Sequence, residues 1–296
     1  MTLVVILARY FCCWFRFGCL RISDLIFSRY YGERILSRPF FGGLLSVDVS
    51  RGNPPRLLYL QGERFVEERY IVRDLTPRGA TVIDVGANVG HYALMISHYG
   101  GSPQIIAIEP EPSNLAELRR NLSQNSLHNV SVIEAAAAAQ SGTVMLKLGL
   151  NAQIDWEAGD INVPAISLDS LGVGSVGFIK IDVEGFELPV LRGAVNILRD
   201  HRPNLFVEVH PMMQPEGSDI SALIDLVKTF YPRVFVVVKK LRRNVWCRFA
   251  TEYFGASSLQ AVELSRGHAL PSSIFWLACT ADAEIAAKIG GRSGDQ

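Results

Sequence analysis

The sequence predicts an α/β fold in which a mostly parallel sheet carries helices on both faces. Two observations lead to this prediction. Short runs rich in β-branched residues, at Thr81–Val85, Gln104–Ile108 and Val176–Ile181, indicate buried strands because they are largely apolar. Each run contains an acidic residue near its end or is followed by one, and a segment with helical spacing comes next. Strands that alternate with helices in this way indicate βαβ units and a parallel sheet.

The bulk composition is that of a globular protein without a charge excess. The 296 residues correspond to one or two domains, and a hydrophobic fraction of 49% supports a large core. The 29 Lys and Arg residues equal the 29 Asp and Glu residues, so no basic excess favours a nucleic-acid partner. The five cysteines show neither paired metal-ligand spacing nor a dense disulfide pattern. We therefore expect a reducing, cytoplasmic setting.

Residues 1–45 form an apolar and aromatic N-terminal segment. No apolar run in it reaches the ~20 residues that span a bilayer, and no basic stretch precedes the first run. We therefore expect neither a spanning helix nor a cleaved signal peptide. Two alternatives stay open. Residues 1–21 form an interfacial helix on an anionic membrane, with Cys12 and Cys13 as acylation candidates, or the segment packs on the domain or is a disordered tail.

Residues 46–78 are expected to form a lead-in hairpin and a helix. Leu45–Val49 alternates like a strand, Asn53–Pro55 indicates a turn, and Leu57–Leu60 is the expected return strand. Helical spacing then extends over Glu63–Leu75 and stops at a Pro-Arg-Gly sequence. This region is either a packing element or a lid over the turn that follows, and we favour packing.

The turn after the first buried strand has the order Asp84, Gly86, Asn88, Gly90. Glycines let the backbone turn tightly and approach a ligand closely. The dinucleotide fingerprint has three glycines here, and a carboxylate at the strand tip would repel a pyrophosphate. The acid suits a ligand with an ammonium group, such as S-adenosylmethionine, which also has a sulfonium and no phosphate. The alternative is an ordinary strand-to-helix turn that binds nothing.

Two further acids lie at the tips of the next strands. Glu109 follows the second strand, 25 residues after Asp84. An acid at this place accepts hydrogen bonds from a ribose diol in many nucleotide-binding sheets, because its two oxygens can take both hydroxyls. Glu134 and Ala135 follow the third strand, Asn129–Ile133, and small residues there leave room for an adenine. The alternative for Glu109 is a solvated loop acid.

Four chemically active side chains lie on two later strands. Period two places Lys180 and Asp182 on one face of the first, and Glu208 and His210 on one face of the second. An unpaired buried charge costs on the order of several kcal/mol, so Lys180 needs an acidic partner, and Glu208 is the expected one if the strands adjoin. That pair is either structural or functional. Asp182 and His210 lie nearer to the carboxyl tips, where open α/β sheets bind ligands.

Three motifs together resemble the FkbM family of S-adenosylmethionine-dependent methyltransferases. They are Val82–Gly90, Ile108–Pro112 and the most family-specific block, Lys180–Glu187 followed by Leu191–Gly193. The resemblance covers about residues 60–280 and excludes the first 45. It implies a Rossmann-like class I methyltransferase fold with a seven-stranded sheet, in a domain at residues 79–280 with a C-terminal tail at 281–296. It also implies O-methylation of a small-molecule, sugar or lipid-linked acceptor.

The resemblance implies that the cofactor is S-adenosylmethionine. Its three parts would contact the tips of three different strands. The methionine end would be held at the glycine turn, the ribose at the second strand and the adenine at the third. The residues are Asp84, Gly86, Asn88 and Gly90 for the methionine end, Glu109 for the ribose, and Glu134 with Ala135 for the adenine.

The expected reaction is an in-line displacement at the sulfonium methyl by an acceptor oxygen. Positioning of the two reactants would supply most of the rate, because the methyl group is already activated. His210 and Asp182 are the candidate bases for the hydroxyl proton, with Lys180 and Glu208 beside them. We expect no metal. The alternative is a divalent ion on Asp182, Glu208 and His210, which intact activity in EDTA would exclude.

Two other functions stay open. A nicotinamide-dependent dehydrogenase shares the strand, the turn and the acid, but Asn88 stands where the second glycine of its fingerprint should fall. A non-catalytic binding or membrane-tethered protein that kept the fold is the other alternative. Binding of S-adenosylmethionine without turnover on any acceptor would favour that alternative.

Overall fold

The computed structural model describes residues 35–64, 66–99, 101–148, 153–154, 159–213, 219–239, 259–265 and 269–291. The membrane contact expected for residues 1–21, and the two acylation candidates, lie outside the described residues. Within these ranges, no helix combines the length and the apolar character needed to cross a bilayer.

The described residues form fourteen strands and eight α-helices. The strands are β1 (Ile35–Phe40), β2 (Gly43–Asp48), β3 (Thr81–Val85), β4 (Gln104–Ile108), β5 (Val130–Ile133), β6 (Ala136–Ala137), β7 (Gly142–Lys147), β8 (Gln153–Ile154), β9 (Ile161–Ile166), β10 (Val176–Ile181), β11 (Asn204–Val209), β12 (Arg233–Lys239), β13 (Leu259–Glu263) and β14 (Phe275–Thr280). The helices are α1 (Asn53–Gln61), α2 (Arg69–Leu75), α3 (His91–His98), α4 (Pro112–Gln124), α5 (Glu187–Arg192), α6 (Val195–Asp200), α7 (Ile220–Phe230) and α8 (Ala283–Gly290).

The central sheet has the strand order β13-β12-β14-β11-β10-β3-β4-β5. The pairs from β11 to β5 are parallel, and β14 runs antiparallel to both of its neighbours. The predicted α/β fold with a mostly parallel sheet is therefore confirmed. The predicted number of seven strands is wrong, because β13 adds an eighth strand antiparallel to β12 at one edge. The count of seven is implied by the family resemblance, and the sequence pattern at Leu259–Glu263 does not by itself predict a strand.

The central strands bury both of their faces, and their side chains divide between two hydrophobic clusters. Val82, Phe178 and Phe206 belong to one cluster, which also receives the β1–β2 hairpin and α2. The next residues along, including Ile83 and Ile179, belong to the other cluster. This alternation follows from the period of two in a strand. It places the polar strand tips between two packed layers, so their positions are set by the whole core.

A second sheet, with the order β6-β9-β7-β8, contributes to the same core. Val144 and Leu146 of β7 and Val163 of β9 are buried in the cluster that contains Ile83. This small sheet follows the tip of β5 directly, so the alanines at that tip become part of a packed wall.

The lead-in region differs from the prediction. The hairpin is formed by β1 and β2. It begins at Ile35, within the N-terminal segment predicted at residues 1–45. Leu57–Leu60, the expected return strand, lies in α1, because Pro54 and Pro55 occupy the first turn of a helix, where proline is tolerated. The helix expected over Glu63–Leu75 is confined to α2, which begins at Arg69.

After β10 the sequence predicts one helix over residues 186–198, but the structure divides it into α5 and α6 at Gly193. A Cβ atom at Gly193 would lie 2.0 Å from the carbonyl oxygen of Ala138. The chain therefore passes directly against the strand tip of the small sheet at this glycine, and a continuous helix is replaced by two short ones.

Asn121 of α4 connects the hairpin to the glycine turn. Its Oδ1 accepts a hydrogen bond from the Ser46 N–H at 2.8 Å, and its Nδ2 donates to the carbonyls of Ser46 at 2.9 Å and Val89 at 2.7 Å. The side chain is completely buried. One amide thus satisfies three backbone groups, two of Ser46 and one of Val89, which fixes the hairpin on the helix that flanks the turn.

We expect Asn121→Ala to lower the free energy of unfolding by about 3 kcal/mol, because it leaves three buried backbone groups without their partner. Asn162→Ala is the control, since Asn162 is exposed on β9 and its loss should change stability by less than about 0.5 kcal/mol. Denaturant unfolding of both variants measures the difference. Equal stability of the two variants would show that Asn121 does not hold the hairpin.

Candidate active site

A cavity opens at the carboxyl ends of β3, β4 and β10. It encloses about 590 Å³ of empty space, open solvent at its mouth included. This is the edge at which open α/β sheets bind ligands. Its wall includes Gly86, Asn88, Glu109, Ala135, Asp182 and Glu184.

The glycine turn after β3 depends on close contact with the chain after β10. Gly86 has a φ of 75°, and a Cβ atom there would lie 1.8 Å from the carbonyl oxygen of Asp182. The Asp182 N–H also donates to the Val85 carbonyl at 3.1 Å. Gly86 is therefore required both by its backbone angle and by the lack of space. The contact places Asp182 directly beside the turn.

Glu109 holds the same turn from the other side. Its Oε2 accepts a hydrogen bond from the Asn88 N–H at 2.8 Å. Its Oε1 accepts from the Glu111 N–H at 3.0 Å and from Asn114 Nδ2 at 3.1 Å. Burial raises the pKa of the Glu109 carboxyl, and these three hydrogen bonds oppose that rise. The carboxylate on the cavity wall thus also organises the loops around it.

Lys180 pairs with Asp84, and the predicted pair with Glu208 is wrong. In the register of the sheet, Lys180 of β10 is opposite Asp84 of β3 on one side and Phe206 of β11 on the other. Its Nζ lies 3.3 Å from Asp84 Oδ1 and 3.7 Å from Asp182 Oδ2. Beyond this ammonium, the Asp84 carboxylate has no hydrogen-bond donor among the described residues.

This ion pair is buried and supports the turn from below. Lys180 is 1% exposed and Asp84 is fully buried. The ammonium donates to the Gly86 carbonyl at 2.9 Å and lies 4.5 Å from the centre of the Tyr92 ring. Burial lowers the pKa of Lys180, but Asp84, Asp182 and Glu208 together raise it above its usual value. Burial also raises the pKa of Asp84, against the charge of Lys180.

His210 lies at the tip of β11 among four carboxylates. Its Nδ1 is 2.8 Å from Glu187 Oε1, which also accepts from the Gly185 N–H at 2.9 Å. Its Nε2 faces the other three acids, at 3.3 Å from Glu184 Oε2, 3.6 Å from Glu208 Oε1 and 4.0 Å from Asp182 Oδ1. Because Glu187 takes the Nδ1 side, the ring presents Nε2 to the other acids.

The close spacing of these acids changes their titration. Burial lowers the pKa of His210, but the hydrogen bond with Glu187 and the charges of Asp182 and Glu184 raise it to about 9 overall. Burial, together with the charges of Asp182 and Glu68, raises the pKa of Glu208 to about 8. Both shifts result in part from the crowding of acidic groups at one place in the site.

The predicted residues fall into two groups. Those on the cavity wall are Gly86, Asn88, Glu109, Ala135 and Asp182, and those elsewhere are Asp84, Gly90, Lys180, Glu134, Glu208 and His210. Asp84 lies beneath the turn, and its expected contact with a ligand is replaced here by the contact with Lys180. The Glu134 side chain is exposed and pairs with Arg119, so Ala135 is the member of the predicted pair that lies on the cavity wall.

Sequence reasoning did not assign roles to Glu184, Glu187 or Trp276. The two glutamates lie in the block Lys180–Glu187, and acids so close to the predicted strand tip could have indicated a partner for His210. Trp276 Nε1 donates to Glu208 Oε2 at 2.8 Å, because antiparallel pairing of β14 with β11 places it opposite Glu208. No local pattern indicates that pairing.

Comparison with known proteins gives one family and several relatives. A model of the methyltransferase FkbM domain matches residues 84–232, half of the chain. Methyltransferase 1 of Beauveria bassiana is 27% identical over 184 residues, which cover 51% of this chain and 72% of that protein. Hexuronic acid methyltransferase AglP of Haloferax volcanii is 29% identical over 154 residues, which cover 49% of this chain and 61% of that protein.

Among solved structures, methyltransferase FkbM from Methylobacillus flagellatus KT is 18% identical to this chain, with a TM-score of 0.44. The alignment covers 68% of this chain and 43% of that one. The chain therefore spans less than two thirds of this protein and of the Haloferax relative.

We expect Gly86→Ala to lower the free energy of unfolding by about 3 kcal/mol, since the new methyl group meets the backbone of Asp182. Gly172→Ala is the matched control. Gly172 has a φ of 62° but no atom within 4 Å of an added Cβ, so only the backbone strain of about 1 kcal/mol applies. Denaturant unfolding compares the two. A loss in Gly86→Ala no larger than in the control would refute the close contact.

Proposed function

Because the chain belongs to the FkbM methyltransferase family, we propose that it transfers a methyl group from S-adenosylmethionine to an acceptor hydroxyl. The observation that supports this most is the composition of the cavity wall. Asn88 and Glu109 offer polar groups on one side, Ala135 leaves space beside them, and Asp182 with Glu184 forms an acidic end. S-adenosylmethionine is a nucleoside attached to a cationic amino acid. Its ribose needs polar groups, its adenine needs space, and its cationic end needs acidic groups, all in one cavity.

The residues present fit the cofactor at three places. A carboxylate has about four lone-pair positions, and three donors occupy Glu109, so capacity remains for a ribose hydroxyl. Ala135, Ala136 and Ala137 have small side chains and leave space for the planar adenine. Gly86 and Asn88 would meet the methionine end at the turn. When bound, the cofactor supplies a methyl carbon that its sulfonium already activates.

The chain's own part in the reaction is to position the acceptor and to accept one proton. Asp182 lies on the cavity wall beside the glycine turn, whereas the His210 side chain is 2% exposed behind it. We therefore propose that Asp182 accepts the proton of the acceptor hydroxyl. His210 orients the acidic side chains around it. Holding two reactants in line contributes far more than the proton transfer, which is worth about 10²–10⁴ in rate.

The acceptor we propose is a small-molecule, sugar or lipid-linked hydroxyl. The name of the Haloferax relative, a hexuronic acid methyltransferase, supports a sugar acid as the first class to test. The absence of a nucleic-acid acceptor stays a prediction from the balanced charge. A cytoplasmic location, with membrane contact through residues 1–21, is likewise proposed.

We expect S-adenosylhomocysteine to bind the full chain in calorimetric titration, and Glu109→Ala to lose this binding. Glu134→Ala is the matched control, because it removes an acid from the tip of the neighbouring strand that is exposed and off the cavity wall. Its affinity should stay within about twofold of the unmodified chain. NAD in a parallel cell should give no heat.

The outcomes of this titration separate the proposed functions. NAD binding without the homocysteine compound would replace the methyltransferase with a dehydrogenase. If the homocysteine compound binds but no member of a panel of sugars, uronic acids and lipid-linked glycans is methylated, the non-catalytic alternative gains weight. Loss of binding in Glu134→Ala would show that the adenine lies against the exposed acid.

We expect Asp182→Asn to lower kcat on the acceptor found in that panel by about 10²–10³, because the amide accepts no proton. The affinity for S-adenosylhomocysteine should be nearly unchanged. Asp200→Asn, at an exposed position at the end of α6, is the control and should keep full activity. An active Asp182→Asn enzyme would refute the assignment.

A further inference from the structure

The side chains of Asp182, Glu208 and His210 converge on one point at the tips of β10 and β11. One ligand atom from each lies within 4.8 Å of the other two. We propose that these three residues bind one divalent cation, and that this cation holds the acceptor hydroxyl. The role given to the ion, though not its binding, rests on the methyltransferase function proposed above.

The distances between the ligand atoms suit a single small ion. His210 Nε2 lies 3.6 Å from Glu208 Oε1 and 4.0 Å from Asp182 Oδ1. Two ligands that are each about 2.1 Å from one ion are separated by about 3.0 Å when adjacent in an octahedron and by about 4.2 Å when opposite. These two separations lie between the limits, and the third pair of ligand atoms lies within 4.8 Å. A cation can therefore be bound with little movement of the side chains.

Each of the three side chains is held by a neighbour through its other polar atom. His210 Nδ1 contacts Glu187 Oε1 at 2.8 Å, and Glu208 Oε2 accepts from the Trp276 indole at 2.8 Å. Asp182 Oδ2 lies 3.7 Å from the Lys180 ammonium. The atoms that face one another are the remaining Nε2, Oε1 and Oδ1. Outer partners of this kind orient metal ligands in proteins, and the carboxylate behind the histidine is the commonest.

The charge around the site also favours a cation. Four carboxylates, from Asp182, Glu184, Glu187 and Glu208, surround one imidazole, and Lys180 reaches only the far oxygen of Asp182. Glu184 Oε2, at 3.3 Å from Nε2, is a fourth ligand atom within reach. A divalent ion would reduce the mutual repulsion of these acids.

The donor set of one imidazole nitrogen and two carboxylate oxygens lies between those of magnesium and zinc sites, so Mn²⁺ and Zn²⁺ are the ions to test. A bound cation acts as a Lewis acid on a hydroxyl oxygen and makes its proton easier to remove. With the ion on Oδ1 of Asp182, the O–H proton would pass to Oδ2 of the same carboxylate, as assigned above. The oxygen then forms the bond to the methyl carbon as the carbon–sulfur bond breaks.

The experiment is a Mn²⁺ titration of the metal-free full chain followed by electron paramagnetic resonance, in which the signal of free Mn²⁺ disappears on binding. We expect one Mn²⁺ per chain, displaced by Zn²⁺. Asp182→Asn should weaken binding at least about tenfold, and Trp276→Phe, which releases only the outer oxygen of Glu208, should weaken it by about tenfold. Glu134→Gln, an exposed acid away from the cluster, should bind like the unmodified chain.

Binding of S-adenosylhomocysteine is measured on the same samples. If S-adenosylhomocysteine binds but neither Mn²⁺ nor Zn²⁺ binds, the cation site is refuted and the cofactor assignment stands. If Mn²⁺ binds and the homocysteine compound does not, the site stands and the cofactor assignment fails. Equal Mn²⁺ affinity in Asp182→Asn and Glu134→Gln, or full activity after EDTA treatment and dialysis, would also overturn the proposal.

Discussion

The buried ion pair between Lys180 and Asp84 is the interaction on which the rest of the site depends. It connects two central strands, its ammonium donates to the Gly86 carbonyl, and it approaches Asp182 from below. Loss of one partner of such a pair leaves a buried charge that costs about 3–5 kcal/mol. The carboxyl ends of β3 and β10 therefore keep their relative positions only while the charges of Lys180 and Asp84 are both present. The cofactor side and the acidic side of the cavity share this single support.

The sequence predicts which strand tips carry chemistry, but it does not predict which of them touch. Acids and glycines at the ends of apolar runs are local signals, and they correctly bring Gly86, Asn88, Glu109 and Asp182 to one cavity. The partner of Lys180 depends on which strands are neighbours and on their register. Both candidate acids lie on strands that neighbour β10, and only the register distinguishes them, because it places Lys180 opposite Asp84 of β3 and opposite Phe206, not Glu208, of β11.

The errors in secondary structure have the same origin. Pro54 and Pro55 indicate a turn when considered alone, yet they begin α1 because the following residues pack on the hairpin. Gly193 lies inside a helical pattern, and the approach of Ala138 from another sheet divides that helix. Trp276 comes to Glu208 from a strand 68 residues away. In each case the deciding contact is distant in sequence, where periodicity carries no information.

The contact between Gly86 and the Asp182 carbonyl limits how this scaffold can be re-engineered. Substrate range in α/β enzymes is commonly altered by exchanging the loops at the carboxyl edge of the sheet. Here the segment after β10 is also a structural spacer for the turn after β3, at van der Waals distance. A transplanted loop that shifts the backbone of Asp182 outward would leave a gap under the turn. Loop exchange should therefore begin after Gly185, with the backbone of residues 182–185 retained.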